Sequence, residues 1–110
     1  MKINNIYKNK DHLLSFFLGL TIRRLRKERG YTALELANKI NVSQQQISRY
    51  ERGINRINVD VIAEISFALD IPFEIFFKHA IAEVKFNLIR ENNNLSKKER
   101  LLFFDDRYFF

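Results

Sequence analysis

The chain has no cysteine and no tryptophan, one proline and three glycines in 110 residues. The lack of cysteine excludes a disulfide scaffold and thiolate metal sites, and it fits a reducing cytoplasm. With so little glycine and proline, and few β-branched alternations, the turn chemistry of a many-stranded sheet is missing. The two histidines, His12 and His79, stand far apart without carboxylates at metal spacing, so neither a metal nor another cofactor is expected. There is no Ser/His/Asp or Cys/His set, no glycine-rich phosphate loop and no carboxylate pair in a predicted cleft, which argues against an enzyme. The apolar stretch from Leu13 to Leu20 is too short for a membrane span and lacks a small-residue cleavage site after it, so no membrane contact is expected.

What is present is leucine, isoleucine, glutamate, lysine and arginine, a composition suited to helices. The length allows one domain around a single core, with extensions. The net charge of +6 is unevenly placed. Residues 1–60 hold twelve Lys or Arg against five Asp or Glu, a net +7, whereas residues 61–110 hold seven against eight, a net −1. A basic first half followed by a near-neutral second half suggests a polyanion-binding module joined to a segment with another task.

Residues 1–10 are rich in Asn and Lys without periodicity and read as a loosely attached arm. Asp11 can cap a helix running to Arg29, with Leu14, Leu18, Ile22 and Leu25 toward a core and Gly30 at its end. Thr32 and Glu35 form a capping-box pattern opening a short helix whose buried positions are Leu36, Ala37 and Ile40. Ser43 and Gln46 repeat the pattern and open a third helix that Gly53 stops after Arg52. Only Asn41 and Val42 separate Ile40 from that cap, so the second and third helices must cross steeply, and Asn tolerates the left-handed backbone such a turn needs. Asn58 can cap a fourth helix with Val61, Ile62, Ile65 and Leu69 buried, and Asp70 to Pro72 opens a short fifth helix through Phe73, Ile75, Phe76 and Phe77. Ala80 to Arg90 has helical character, Asn92 to Asn94 breaks it, and Ser96 with Glu99 opens a last helix.

The third helix divides into two faces when its residues are placed at steps of about 100°. Gln44, Gln45, Ser48, Arg49 and Arg52 share one side, and Gln46, Ile47, Tyr50 and Glu51 share the other. Two glutamines, a serine and two arginines are what base-edge readout needs, since Gln bonds adenine and Arg bonds guanine in a bidentate way. The helix also points its unpaired N–H groups and positive dipole end toward where a phosphate would sit.

Thr32 to Gly53, TALELANKINVSQQQISRYERG, resembles the helix-turn-helix of the Cro and phage-repressor family, also called the XRE family. The resemblance extends over roughly residues 14–78 and implies an all-α, five-helix lambda-repressor-like DNA-binding bundle, here with a helical C-terminal extension. It implies base reading by Gln44, Gln45 and Arg49, phosphate contacts by Arg52, Asn55 and Arg56, and a structural ion pair between Arg26 and Glu51; the face reading adds Ser48 to the base readers, and the helix N-terminus adds Ser43 to the phosphate contacts. Two departures stand out. Ala33 occupies the position where the family usually has a phosphate-contacting Gln, which shifts the expected backbone grip toward Arg23, Arg24 and the loop arginines, and Asn41 replaces the usual Gly. The run Ser43 to Glu51, SQQQISRYE, is also similar to the MrpJ-type regulators encoded with fimbrial operons, which implies repression of flagellar genes.

Composition and helix pattern together with the resemblance divide the chain into an arm (1–10), a helix-turn-helix domain (11–78) and a helical extension (79–110). The extension carries Phe86, Leu88, Ile89, Leu101, Leu102, Phe103, Phe104 and Tyr108, so much apolar surface that a homodimer contact through it is expected. The expected partners are a double-stranded DNA operator and a second copy, with no small-molecule ligand, in the cytoplasm at the nucleoid. The alternative is an antitoxin-like module whose aromatic tail masks a partner protein and whose helix-turn-helix only autoregulates.

Overall fold

The computed structural model describes residues 13–91, and all regular structure among them is helical. Five helices follow one another: α1 (Leu13–Glu28), α2 (Ala33–Ile40), α3 (Gln44–Glu51), α4 (Val59–Ala68) and α5 (Phe73–Glu91). They pack into a lambda-repressor-like bundle in which α1 lies against α3 and α5, while α4 lies against α2 and α5. The arm, the Asp11 cap and the helix expected from Ser96 lie outside the described residues.

Short-range chemistry sets most of the helix ends. Thr32 Oγ1 accepts from the Glu35 N–H at 3.0 Å, and the Glu35 carboxylate accepts from the Thr32 N–H at 3.0 Å, closing the box at the start of α2. Ser43 accepts from the Gln46 N–H at 3.0 Å and Asn58 from the Val61 N–H at 2.8 Å, capping α3 and α4. Helix α1 ends in a Schellman motif, with Gly30 N–H to Lys27 O and Tyr31 N–H to Arg26 O. Gly53 (φ 70°) and Asp70 (φ 56°) end α3 and α4 in the same way. The left-handed residue between α2 and α3 is Asn41, at φ 60°.

The core is drawn from all five helices. Ile22 and Leu25, Leu36 and Ala37, Ile47, Ile62 and Ile65, and Phe76 are buried together with Leu69 and Ile71 from the turn after α4. Each large apolar side chain so buried contributes about 1.5–3 kcal/mol before the entropy of ordering is counted. Ile40 and Val61, expected inside, are only partly buried at its margin.

Helix α1 departs from its expected face. Leu14 is 48% exposed, whereas Phe16, Phe17 and Thr21 are buried. At this end of α1 the turn at Gly53 comes up against the Phe16 backbone, so the first turn is covered on the Phe16 side and not on the Leu14 side. Thr21 enters the core because its hydroxyl donates to Phe17 O at 3.0 Å, which satisfies the one polar group it buries.

The fifth helix is not short. Helix α5 runs unbroken for 19 residues, across the position where the extension was expected to begin. Phe76, Ala80, Val84 and Asn87 are buried along it, and their spacing of four, four and three forms one helical stripe. Nothing between Phe73 and Glu91 is a glycine or proline, so the backbone has no reason to stop at residue 78. No helix among the described residues is long and apolar enough to cross a membrane. None of their His, Cys, Asp and Glu side chains cluster in threes as a metal would require.

Candidate nucleic-acid interface

Helix α3 is held from behind and left open in front. Ile47 and Glu51 are buried on its inner side, and Gln44, Gln45 and Arg49 are exposed on its outer side, with Ser48 half-buried between them. Among the described residues the side chains of Gln44, Gln45 and Arg49 have no hydrogen-bond or ion-pair partner, so their donors and acceptors are available to a ligand. Arg52, at the C-terminal cap, is exposed and its Nε donates to Ser48 O at 3.3 Å. In the loop that follows, Asn55 is half-buried and Arg56 exposed. Ser43 is exposed at the N-terminus of α3, its hydroxyl engaged as the cap.

Three contacts fix the inner side. Arg26 of α1 and Glu51 of α3 form a buried bidentate pair, with Nε to Oε2 at 2.6 Å and Nη2 to Oε1 at 3.0 Å. The remaining guanidinium nitrogen, Nη1, donates to Tyr31 O at 2.7 Å, which ties the start of α2 to the same group. The hydrogen bonds that it donates to Glu51 hold the Arg26 guanidinium above its ordinary pKa against the opposing effect of burial. The third contact is steric. A Cβ on Gly19 would stand 2.7 Å from Glu51 O and 2.9 Å from Glu51 C, so α1 crosses the last turn of α3 at a separation only glycine permits.

Gly19 and Gly53 are the positioning residues that the pattern reading did not reach. Gly53 was read as a helix stop, yet a Cβ there would also meet the Phe16 Cα at 2.7 Å. For Gly19 the available signal was a glycine inside a helical pattern, which costs about 1 kcal/mol relative to Ala and so needs a packing reason.

Arg23 and Arg24 lie on α1, apart from the α3 face. Arg23 is exposed, and Arg24 is half-buried and paired with Glu28 one turn on at 3.3 Å. That pair leaves Arg24 less free to serve a phosphate than Arg52 or Arg56. Of the residues expected to make a dimer, Phe86 is 59% exposed on α5. The side chains of Leu88 and Ile89, and Leu101, Leu102, Phe103, Phe104 and Tyr108 entirely, lie outside the described residues.

Two short helices crossing at a three-residue turn, Asn41 to Ser43, the second presenting an unpartnered polar face, define a helix-turn-helix protein. Residues 22–76, half of the chain, match the family model described as helix-turn-helix, and the chain belongs to that family, in its XRE or Cro-type branch. An HTH-type transcriptional regulator of Rickettsia conorii is 40% identical over 62 residues, covering 56% of this chain and 50% of the relative. A transcriptional regulator in the ATPase CF(0) region of Rhodospirillum rubrum is 43% identical over 66 residues, 60% of this chain and 61% of the relative. The chain thus spans about half the length of several curated relatives it matches. Among solved structures, the clp gene regulator ClgR of Corynebacterium glutamicum superimposes with a TM-score of 0.68 at 27% identity, covering 71% of this chain and 83% of that one. The restriction-modification controller protein C.Esp1396I, solved as a tetramer on its natural 35 base-pair operator, gives 0.62 at 28% identity, covering 66% and 95%.

Proposed function

We propose that this chain is a sequence-specific DNA-binding transcriptional regulator that reads the major groove with the outer face of α3, working as a homodimer on an operator. The observation that carries this reading is the division of α3. Its inner face is locked by Arg26, Ile47 and Gly19, and its outer face offers Gln44, Gln45 and Arg49 without internal partners. Bidentate Gln and Arg groups on a rigid helix are the means by which base edges are told apart. Arg52 and Arg56, exposed at and beyond its C-terminus, supply charge for the phosphate backbone. The operator complex of the controller protein supports the same use of this fold. A homodimer follows from reach, since one such module covers one half-site and two spaced by about 34 Å cover successive turns of the groove.

The test is selection of bound sequences from a random DNA library, followed by titration of the selected site against scrambled DNA. A selected motif bound at least about a thousand-fold more tightly than scrambled DNA is expected. Equal affinity for both would overturn sequence-specific reading.

The finer biological reading is service with a fimbrial operon and repression of flagellar genes. Its support is the run Ser43 to Glu51 at the reading helix, similar in pattern to the MrpJ-type regulators. Raised expression in a motile enteric bacterium should lower flagellin transcripts and swarming. Unchanged transcripts, with operator binding intact, would remove the motility role and leave the DNA-reading role standing.

A further inference from the structure

Helix α4 has an apolar face that the bundle does not use. Val59, Ala63 and Phe67 stand at four-residue intervals and so line one side of the helix, opposite the buried Ile62 and Ile65. Val59 is 65% exposed and Phe67 85%, the most exposed of the large apolar side chains among the described residues. Beside this stripe runs a groove of about 690 Å³ between α4 and the end of α2, with Lys39 and Ile40 on one wall and Ala63, Glu64, Phe67 and Ala68 on the other.

We propose that this face, with Phe67 at its centre, is the surface on which a second copy of the chain docks. The proposal rests on the reading of the chain as a dimeric regulator and names where the two copies meet. One patch holds both a projecting aromatic ring and a recess beside it, in which Ile40, Ala63 and Ala68 alternate with polar side chains that include Asn41 and Asp70, and a ring and a recess on one patch are the self-complementarity that a two-fold interface requires. Its charges are arranged for the same operation. Lys39 lies on the α2 edge and Glu64 on the α4 edge. A two-fold axis running along the groove exchanges the edges, which sets Lys39 of one copy across from Glu64 of its partner and swings each Phe67 toward the opposite Ile40 wall.

Nucleic acid is a poor occupant for this surface. Asp60 and Glu64 flank the stripe on α4 and Asp70 follows it, all exposed, and their carboxylates would repel phosphate. An exposed Phe with charged side chains of both signs at its edge, Lys39 and Glu64, matches the aromatic anchor and polar rim of a protein interface.

The experiment uses the full chain in sedimentation over about 1–100 µM, with Phe67→Glu and Ala63→Arg beside the parent. Both positions are exposed, so neither substitution opens the core, and unchanged thermal melting of the monomer verifies this. A dimeric parent, with self-association weakened about thirty-fold or more in both variants, is expected. Because the chain has no cysteine of its own, a Phe67→Cys variant gives a direct second readout. A short bis-maleimide should join it into a covalent dimer that still binds the selected operator. Variants as dimeric as the parent would overturn the assignment and return the contact to the segment beyond residue 79. A parent that stays monomeric throughout would also overturn it, while leaving base reading by α3 to be judged by its own titration.

Discussion

Gly19 of α1 and Glu51 of α3 meet backbone to backbone, with room for a hydrogen but not for a methyl group. The same Glu51 sends its carboxylate to Arg26, seven residues further along α1, so one helix clamps the end of the other by shape and by charge.

Gly19→Ala should therefore destabilise the protein. Helix propensity alone would favour alanine by about 1 kcal/mol. The added Cβ, however, meets backbone atoms that cannot rotate away, and overpacking of this kind costs about 1–3 kcal/mol or more. The expected net result is a lower melting temperature together with weaker operator binding, because α3 is pushed outward. Alanine that matches or raises the parent's melting temperature would show that α1 slides freely on α3.

Removing one member of the buried ion pair should cost more than removing both. Arg26 and Glu51 are each 7% exposed, and Arg26→Met strands a buried carboxylate at a cost of about 3–5 kcal/mol. The double variant Arg26→Met with Glu51→Leu should regain a large part of that loss, since apolar groups of similar volume can replace a buried pair. Chemical denaturation of the three variants measures this. A single variant with normal stability and selectively lost DNA binding would instead place Arg26 at the nucleic acid.

The outer face of α3 should separate into readers and grippers. Gln45→Ala and Arg49→Ala are each expected to lose about 1–3 kcal/mol on the operator and much less on scrambled DNA. Arg52→Ala and Arg56→Ala should weaken both alike and lower the salt slope by about one unit, because each phosphate contact releases a counterion. Titrations at several salt concentrations distinguish the two sets. A Gln45 variant that loses equally on both DNAs would move that residue among the grippers.

Thr32 and Glu35 give the fold a dependence on acid. The Thr32 backbone N–H and hydroxyl hold the Glu35 carboxyl below its ordinary pKa. A depressed folded value means that the stabilisation is complete above the unfolded pKa and is lost as pH falls through the folded one. Glu35→Gln should therefore melt below the parent at neutral pH and converge with it in acid, where both side chains are neutral. Other carboxylates, Glu51 included, are common to the two proteins and cancel in the difference. A melting difference that stays constant with pH would exclude this linkage.

What could be read from the sequence was local. Thr32, Ser43 and Asn58 cap the helices they precede, Gly30 and Gly53 end the helices they follow, and Asn41 turns left-handed, because each acts on backbone within a few residues. The two faces of α3 were legible for the same reason, as a period within one helix. What depended on another element was not. Whether Leu14 or Phe16 faced inward was decided by where the Gly53 turn lies, and Gly19 looked like a weak helix residue until α3 was seen against it. The short helix expected through Phe77 and the helical stretch expected from Ala80 to Arg90 are one continuous helix, because the chain carries no glycine or proline between them.

The separation of α3 into a fixed back and an unpartnered front has an evolutionary reading. Gln44, Gln45 and Arg49 are exposed, and exchanging any of them removes no side-chain hydrogen bond or ion pair among the described residues, so the folded state tolerates many side chains at these places. A duplicated gene could acquire a new set of targets through a few codon changes, with its architecture undisturbed. Drift of target choice in this lineage should then be recorded in those three positions, while Gly19, Arg26 and Glu51 hold still.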